Sequence, residues 1–238
     1  MKVAQARRRA GGALLAAWAA LAATGAPAQV PVVVELFTSQ GCASCPPADA
    51  LLADLAKQPG VIALALHVDY WDYLGWEDVF ASPVFTQRQK RYAKAIGAKM
   101  IYTPQMIVAG ADRVPGNRPD EVLARIAAQG ALAPRVLLEV TREGARVVIR
   151  ALAEPPLAKG AIVQLVRIRP EESVAITRGE NAGREVIYHN IVTDWAPVAE
   201  WPGTAPLDLV LEADGPAPVV VIVQEPGPGP VLAAMRID

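Results

Sequence analysis

The chain has two cysteines, Cys42 and Cys45, in the segment Thr38-Ser39-Gln40-Gly41-Cys42-Ala43-Ser44-Cys45-Pro46-Pro47. Before them, Val32-Val33-Val34-Glu35-Leu36-Phe37 is β-branched and mostly apolar, which reads as a strand buried on both faces. After them, Ala48 to Lys57 places Leu51, Leu52 and Leu55 on one helical stripe. The pair therefore joins a strand to a helix start, where unpaired N–H groups and the positive end of the helix dipole favour thiolate over thiol. Pro46 and Pro47 suit a first helical turn, where a missing N–H costs little. Two intervening residues let the sulfurs close a disulfide, and the first, at the loop edge, is expected to stay open to attack.

Three uses of such a pair compete. A structural staple closing so short a loop contributes only about 2 kcal/mol in the loop-entropy picture. A copper or zinc site needs further ligands, and only His67 and His189 are at hand, with no second cysteine pair. Thiol–disulfide exchange needs nothing more than the two sulfurs.

The N-terminus bears on the compartment. Lys2, Arg7, Arg8 and Arg9 precede an apolar run from Ala10 to Ala23, and small residues at Ala26 and Ala28 suit cleavage before Gln29. That run is shorter than the roughly 20 residues a spanning helix needs. Residues 1–28 are thus expected to be a cleaved signal, leaving a mature protein with no membrane span in a periplasm or outside the cell, where disulfides persist. The leader carries four of the 23 basic residues and none of the 24 acidic ones, so its removal takes the net charge from −1 to −5. A balance of that sign lacks the basic excess of a nucleic-acid binder. With 53% hydrophobic residues the chain is also too apolar to be disordered.

Beyond the leader the pattern changes once. Residues 29–133 alternate strands and helices: a second strand over 61–69, a helix near 86–96, a strand over 105–109 and a last helix through Gln129. Residues 134–238 read as short strands separated by Pro and Gly clusters, with a hairpin turn at Glu143-Gly144 and another over Arg178-Gly179-Glu180-Asn181-Ala182-Gly183-Arg184. The boundary is expected at Gly130–Pro134.

The order strand, C-x-x-C, helix resembles that of the thioredoxin-like superfamily from about Val30 to Gln129. That resemblance implies a cis proline opposite the cysteines. Pro104, in Ile101-Tyr102-Thr103-Pro104-Gln105, is similar to it in position, and Thr103 is then the residue whose backbone pairs with an extended substrate. Glu35 is costly in an apolar strand unless paired or near water. The superfamily carries a buried Asp at nearly this place as a proton shuttle, which implies for Glu35 a raised pKa and the role of base toward Cys45. An edge-facing or salt-bridged Glu35 is the alternative. The run His67-Val68-Asp69-Tyr70-Trp71-Asp72-Tyr73-Leu74-Gly75-Trp76 leaves the same sheet edge as the cysteine loop. Trp71, Tyr73 and Trp76 are therefore placed to line a substrate groove, or else to pack against the second half of the chain. His67 itself reads as a satisfied core histidine.

Three stretches carry a more specific resemblance: Glu35-Leu36-Phe37-Thr38-Ser39-Gln40-Gly41-Cys42 with Cys45-Pro46-Pro47-Ala48-Asp49, His67 to Asp72, and Arg178 to Arg184. They are similar to a bacterial family of secreted proteins of unknown function with a thioredoxin-like domain and a β-rich tail, and the likeness spans the mature chain. The expected fold is an α/β thioredoxin-like domain followed by an all-β, sandwich-like domain. The expected function is exchange with protein or peptide thiols or disulfides, through Cys42 as nucleophile and Cys45 as resolving thiol, with an unidentified redox partner and neither cofactor nor metal. With no positive charge at Ala43 or Ser44, a reducing or intermediate potential is favoured over a strongly oxidising one. The alternatives are a redox-inert binding module and a metal carrier.

Overall fold

A computed structural model describes residues 31–213 and 215–238; the expected leader lies outside them. The elements run β1 (Val32–Thr38), α1 (Pro46–Leu55), β2 (Val61–His67), α2 (Pro83–Ala95), β3 (Gln105–Val108), β4 (Asp112–Pro115), α3 (Pro119–Gly130), β5 (Val136–Glu143), β6 (Arg146–Ala153), β7 (Ala161–Ile176), β8 (Arg184–Trp201), β9 (Leu207–Glu212), β10 (Val219–Gln224) and β11 (Val231–Ile237). Among the described residues the three α-helices each begin with Pro in the first turn, where the ring presets φ.

Eight strands form one mixed sheet in the order β11-β10-β7-β8-β2-β1-β3-β4, and β5-β6-β9 form a second, smaller sheet. This overturns the expected α/β thioredoxin-like domain followed by an all-β domain. Strand β8 lies parallel to β2, pairing Ile191 with Ala65, and Asn190 Nδ2 donates to Ala63 O at 3.0 Å. The late strands thereby continue the sheet that the early strands begin. The alternation read from sequence reports which side chains are buried; it carries no information on which strand fills an open edge.

Where short strands are expected, Ala161–Ile176 is a single 16-residue strand, β7, paired along its length with the 18-residue β8. Pro170 is tolerated because β10 pairs β7 only over Ile162–Arg167, so no ladder bond is asked of it on that side.

Alternation in β1 divides the core. Val32, Val34 and Leu36 pack with Ala48, Leu52 and Leu55 of α1 and Val122 and Ile126 of α3. Val33 and Phe37 face the other way, toward Phe85 and Tyr92 of α2. A third cluster lies between the two sheets, with Val147, Ile149, Val163, Trp201 and Val221. Among the described residues no helix is long and apolar enough to cross a membrane.

Candidate functional site

Strands β1 and β2 are parallel and end together, Thr38 opposite His67. The chain leaving β1 turns back on itself, Cys42 N donating to Ser39 O at 3.1 Å and Cys45 N to Cys42 O at 3.2 Å. Cys45 then caps α1, its carbonyl accepting from Ala48 N and Asp49 N at 2.8 and 3.1 Å. The two cysteines form a disulfide with Cα atoms 5.4 Å apart.

The Cys42 sulfur is not open, contrary to expectation. Ala43 and Ser44 are exposed, but Cys42 is 2% exposed and Cys45 fully buried. Thr103 lies against the sulfur, its hydroxyl donating at 3.2 Å, and Trp71 Nε1 donates to that same hydroxyl oxygen at 2.7 Å. The Thr103–Pro104 peptide bond is cis. A Cβ built on Gly116 would lie 2.9 Å from Pro104 Cβ and 3.0 Å from Ala48 Cβ, so Pro104 and α1 approach each other across a glycine. Gly116→Ala is expected to cost about 1–3 kcal/mol by overpacking, read as a lower urea midpoint; an unchanged midpoint would mean that this contact yields freely.

The other groove candidates divide. Tyr73 is 78% exposed. Trp76 is tied inward, its Nε1 donating to Gln40 Oε1 at 2.8 Å and its Cβ close to Gly179 at the β7–β8 hairpin tip. That tip reaches the cysteine loop: Asn181 Nδ2 donates to the carbonyls of Gln40 and Cys42, both at 2.9 Å. The positive φ of Gly179 and Gly183 permits the tight turn that carries Asn181 there.

Glu35 does not reach the cysteines. It lies on the α2 side of β1, with Val33 and Phe37, whereas α1 packs on the opposite face. There it forms a buried ion pair with Arg88, Nε to Oε2 at 2.5 Å and Nη2 to Oε1 at 2.8 Å, and accepts from the Tyr92 hydroxyl at 2.6 Å. The expected base toward Cys45 is thus corrected to a structural carboxylate. The salt-bridged alternative is the one adopted.

The carboxyl on the cysteine side is Asp49, one helical turn beyond Cys45. It accepts from the Thr38 hydroxyl at 2.7 Å through Oδ1, while Oδ2 has no hydrogen-bond partner among the described residues. Burial pushes its pKa up to about 7, against the lowering effect of Thr38 and His67 and with a further upward push from Asp78. Behind it, Asp78 Oδ2 accepts from His67 Nδ1 at 2.7 Å and from Gln40 N at 2.8 Å. The His67 ring is wedged edge-on between Phe80 and Tyr188, and its Nε2 is unpartnered among the described residues. His67 is a core histidine, but only half satisfied. Sequence reasoning assigns no role to Asp49, Asp78 or Asn181. Asp49 and Asn181 nevertheless lie in the stretches that carry the family resemblance, and Asp49 falls with Ala48, Leu52 and Leu55 on the buried face of α1.

Among the described residues no three His, Cys, Asp or Glu side chains converge to hold a metal ion. Fold and site together define a mixed-sheet protein with a buried C-x-x-C disulfide at a helix start, clasped by a long β-hairpin. The chain belongs to the family described as proteins of unknown function, DUF1223, which it matches over residues 33–224. Among solved structures it is similar to a structural-genomics protein of Agrobacterium tumefaciens, at 33% identity and TM-score 0.76, covering 89% of this chain and 96% of that one. HBP35 of Porphyromonas gingivalis shares the fold at 12% identity and TM-score 0.60, over 88% of this chain and 75% of its own. No curated protein matches the chain.

Proposed function

We propose that the protein is a thiol–disulfide oxidoreductase acting on protein or peptide thiols in an oxidising compartment outside the cytoplasm, the compartment its leader suggests. The observation that carries this reading is the Cys42–Cys45 disulfide at the first turn of α1 with the Thr103 hydroxyl 3.2 Å from the Cys42 sulfur. A substrate thiolate attacks Cys42 Sγ; the Cys42–Cys45 bond breaks and its electron pair leaves on Cys45, which takes a proton. A second substrate thiolate then attacks the substrate sulfur of the mixed disulfide and Cys42 departs as thiolate, so the substrate loses two electrons and the protein gains them. Run backwards, the same steps reduce a substrate disulfide. Asp49, with its carboxyl near 7, is suited to supply and recover the Cys45 proton at neutral pH.

The burial of Cys42 favours a second reading, a plain cross-link. Equilibration of the mature protein in glutathione buffers, followed by alkylation, separates the two. Exchange predicts one two-electron midpoint under native conditions, Cys42 as the first sulfur alkylated, and a stable mixed disulfide from Cys45→Ser with a disulfide-bearing peptide. A disulfide that is reduced only where near-UV dichroism shows the fold lost would leave the cross-link.

A further inference from the structure

Beyond the start of α1, what would favour a thiolate at Cys42 in the reduced protein must come from the groups that touch its sulfur. Ala43 and Ser44 bring no cation, and the side chains that hydrogen-bond its sulfur are hydroxyls, Thr103 Oγ1 at 3.2 Å and the exposed Ser44 Oγ at 3.5 Å. We propose that Trp71 is a positioning residue that sets the acidity of Cys42 in the reduced protein by holding the Thr103 hydroxyl as a donor to the sulfur. This rests on the reading of Cys42 as the exchanging sulfur.

An indole N–H only donates, whereas a hydroxyl has one proton and two lone pairs. With Trp71 Nε1 filling one lone pair of Thr103 Oγ1 at 2.7 Å, the hydroxyl proton must go to another acceptor. Two lie against it, Cys42 Sγ and the Tyr70 phenol, whose own proton goes to Gln89 Oε1 at 3.2 Å. In the disulfide both acceptors are neutral. Once Cys42 becomes a thiolate, the charge-assisted bond to sulfur is the stronger by roughly twofold, and the proton turns to it. The base of the Trp71 side chain is held close to the cysteine loop. A Cβ on Gly41 would come within 3.2 Å of Trp71 Cβ and 3.4 Å of its carbonyl oxygen, so a bare backbone at Gly41 lets the Trp71 main chain approach that loop. The Trp71 carbonyl also accepts from Leu74 N at 3.0 Å, which anchors the turn that follows.

The relay is tested in a Cys45→Ser background, where Cys42 is the one thiol, by the pH profile of its alkylation with iodoacetamide. The other titratable groups around the site are Asp49 on α1, His67 at the end of β2, Asp72 and Asp78 on the loop after it, Tyr188 on β8, and Tyr70 and Tyr102 flanking Thr103. The hairpin tip contributes the neutral Asn181. All are left in place by the variants. Thr103→Val should move the inflection upward by about one pH unit, a tenfold loss of thiolate below it. Thr103→Ser should overlie the parent. Trp71→Phe should shift the inflection in the same direction by less, and should add nothing on top of Thr103→Val. An unmoved inflection in Thr103→Val, or a Trp71→Phe shift that persists in that background, would overturn the relay. The readout is acidity rather than turnover. Loss of the native two-electron midpoint would remove the proposed function and leave these shifts standing, and the converse would remove the relay alone.

Discussion

Replacing Asp49 by Asn should change the stability of the protein relative to wild type by on the order of 4 kcal/mol between pH 4 and pH 8, in favour of the variant at the alkaline end. The carboxyl is buried on α1 and titrates near 7 rather than 3.8. Between those values the folded state holds a proton that the unfolded chain has released. Stability therefore falls as pH rises from about 4 to about 7 and is flat on either side of that window. Asn keeps an acceptor for the Thr38 hydroxyl and cannot ionise, so its curve lacks this slope. Urea unfolding of the oxidised protein across the pH range measures it. Parallel curves for the two proteins would mean that Asp49 ionises in place at its ordinary pKa, and would remove it as the proton source for Cys45.

Arg88→Met should cost about 3–5 kcal/mol, because it leaves the Glu35 carboxylate buried without its cation. The guanidinium is held on every side. Besides Glu35 it reaches the Tyr92 hydroxyl at 3.1 Å, Gln164 Oε1 at 3.3 Å and Gln224 Oε1 at 3.2 Å, and it lies 3.7 Å from the Trp195 ring centre. It thus joins α2 to β1, β7, β8 and β10, tying early strands to late ones. Adding Glu35→Gln to Arg88→Met should recover part of the loss, since the stranded charge is then gone. A loss under about 1 kcal/mol for Arg88→Met, the range of an exposed pair, or no recovery in the double variant, would show that the pair is not an electrostatic clasp.

These two carboxylates show where sequence reasoning succeeds and where it stops. Glu35 in an apolar strand is visibly a buried charge in need of a partner. Its partner, Arg88, lies 53 positions away, and nothing in local pattern says that it arrives on the α2 face. Asp49 is the reverse case. Its place on the buried face of α1 is a local property, but its elevated pKa depends on the walls that β2, β8 and the 69–82 loop put around it. Likewise Thr103 and Pro104 can be located from their place before β3, while the bond from Trp71 to Thr103 requires two separate loops to meet.

What the chain determines by itself is local. A β-branched run makes β1, proline opens each of the three described α-helices, and a C-x-x-C follows a strand end and starts a helix, because propensity and capping act within a few residues. Tertiary structure decided the rest: that β8 docks beside β2 and makes one eight-stranded sheet, that Glu35 turns to Arg88 rather than to Cys45, and that Trp71, Thr103 and Asn181 close over Cys42. The reason is that sheet edges and buried polar groups accept any partner of the right geometry. Which one arrives is settled by long-range packing of the whole chain.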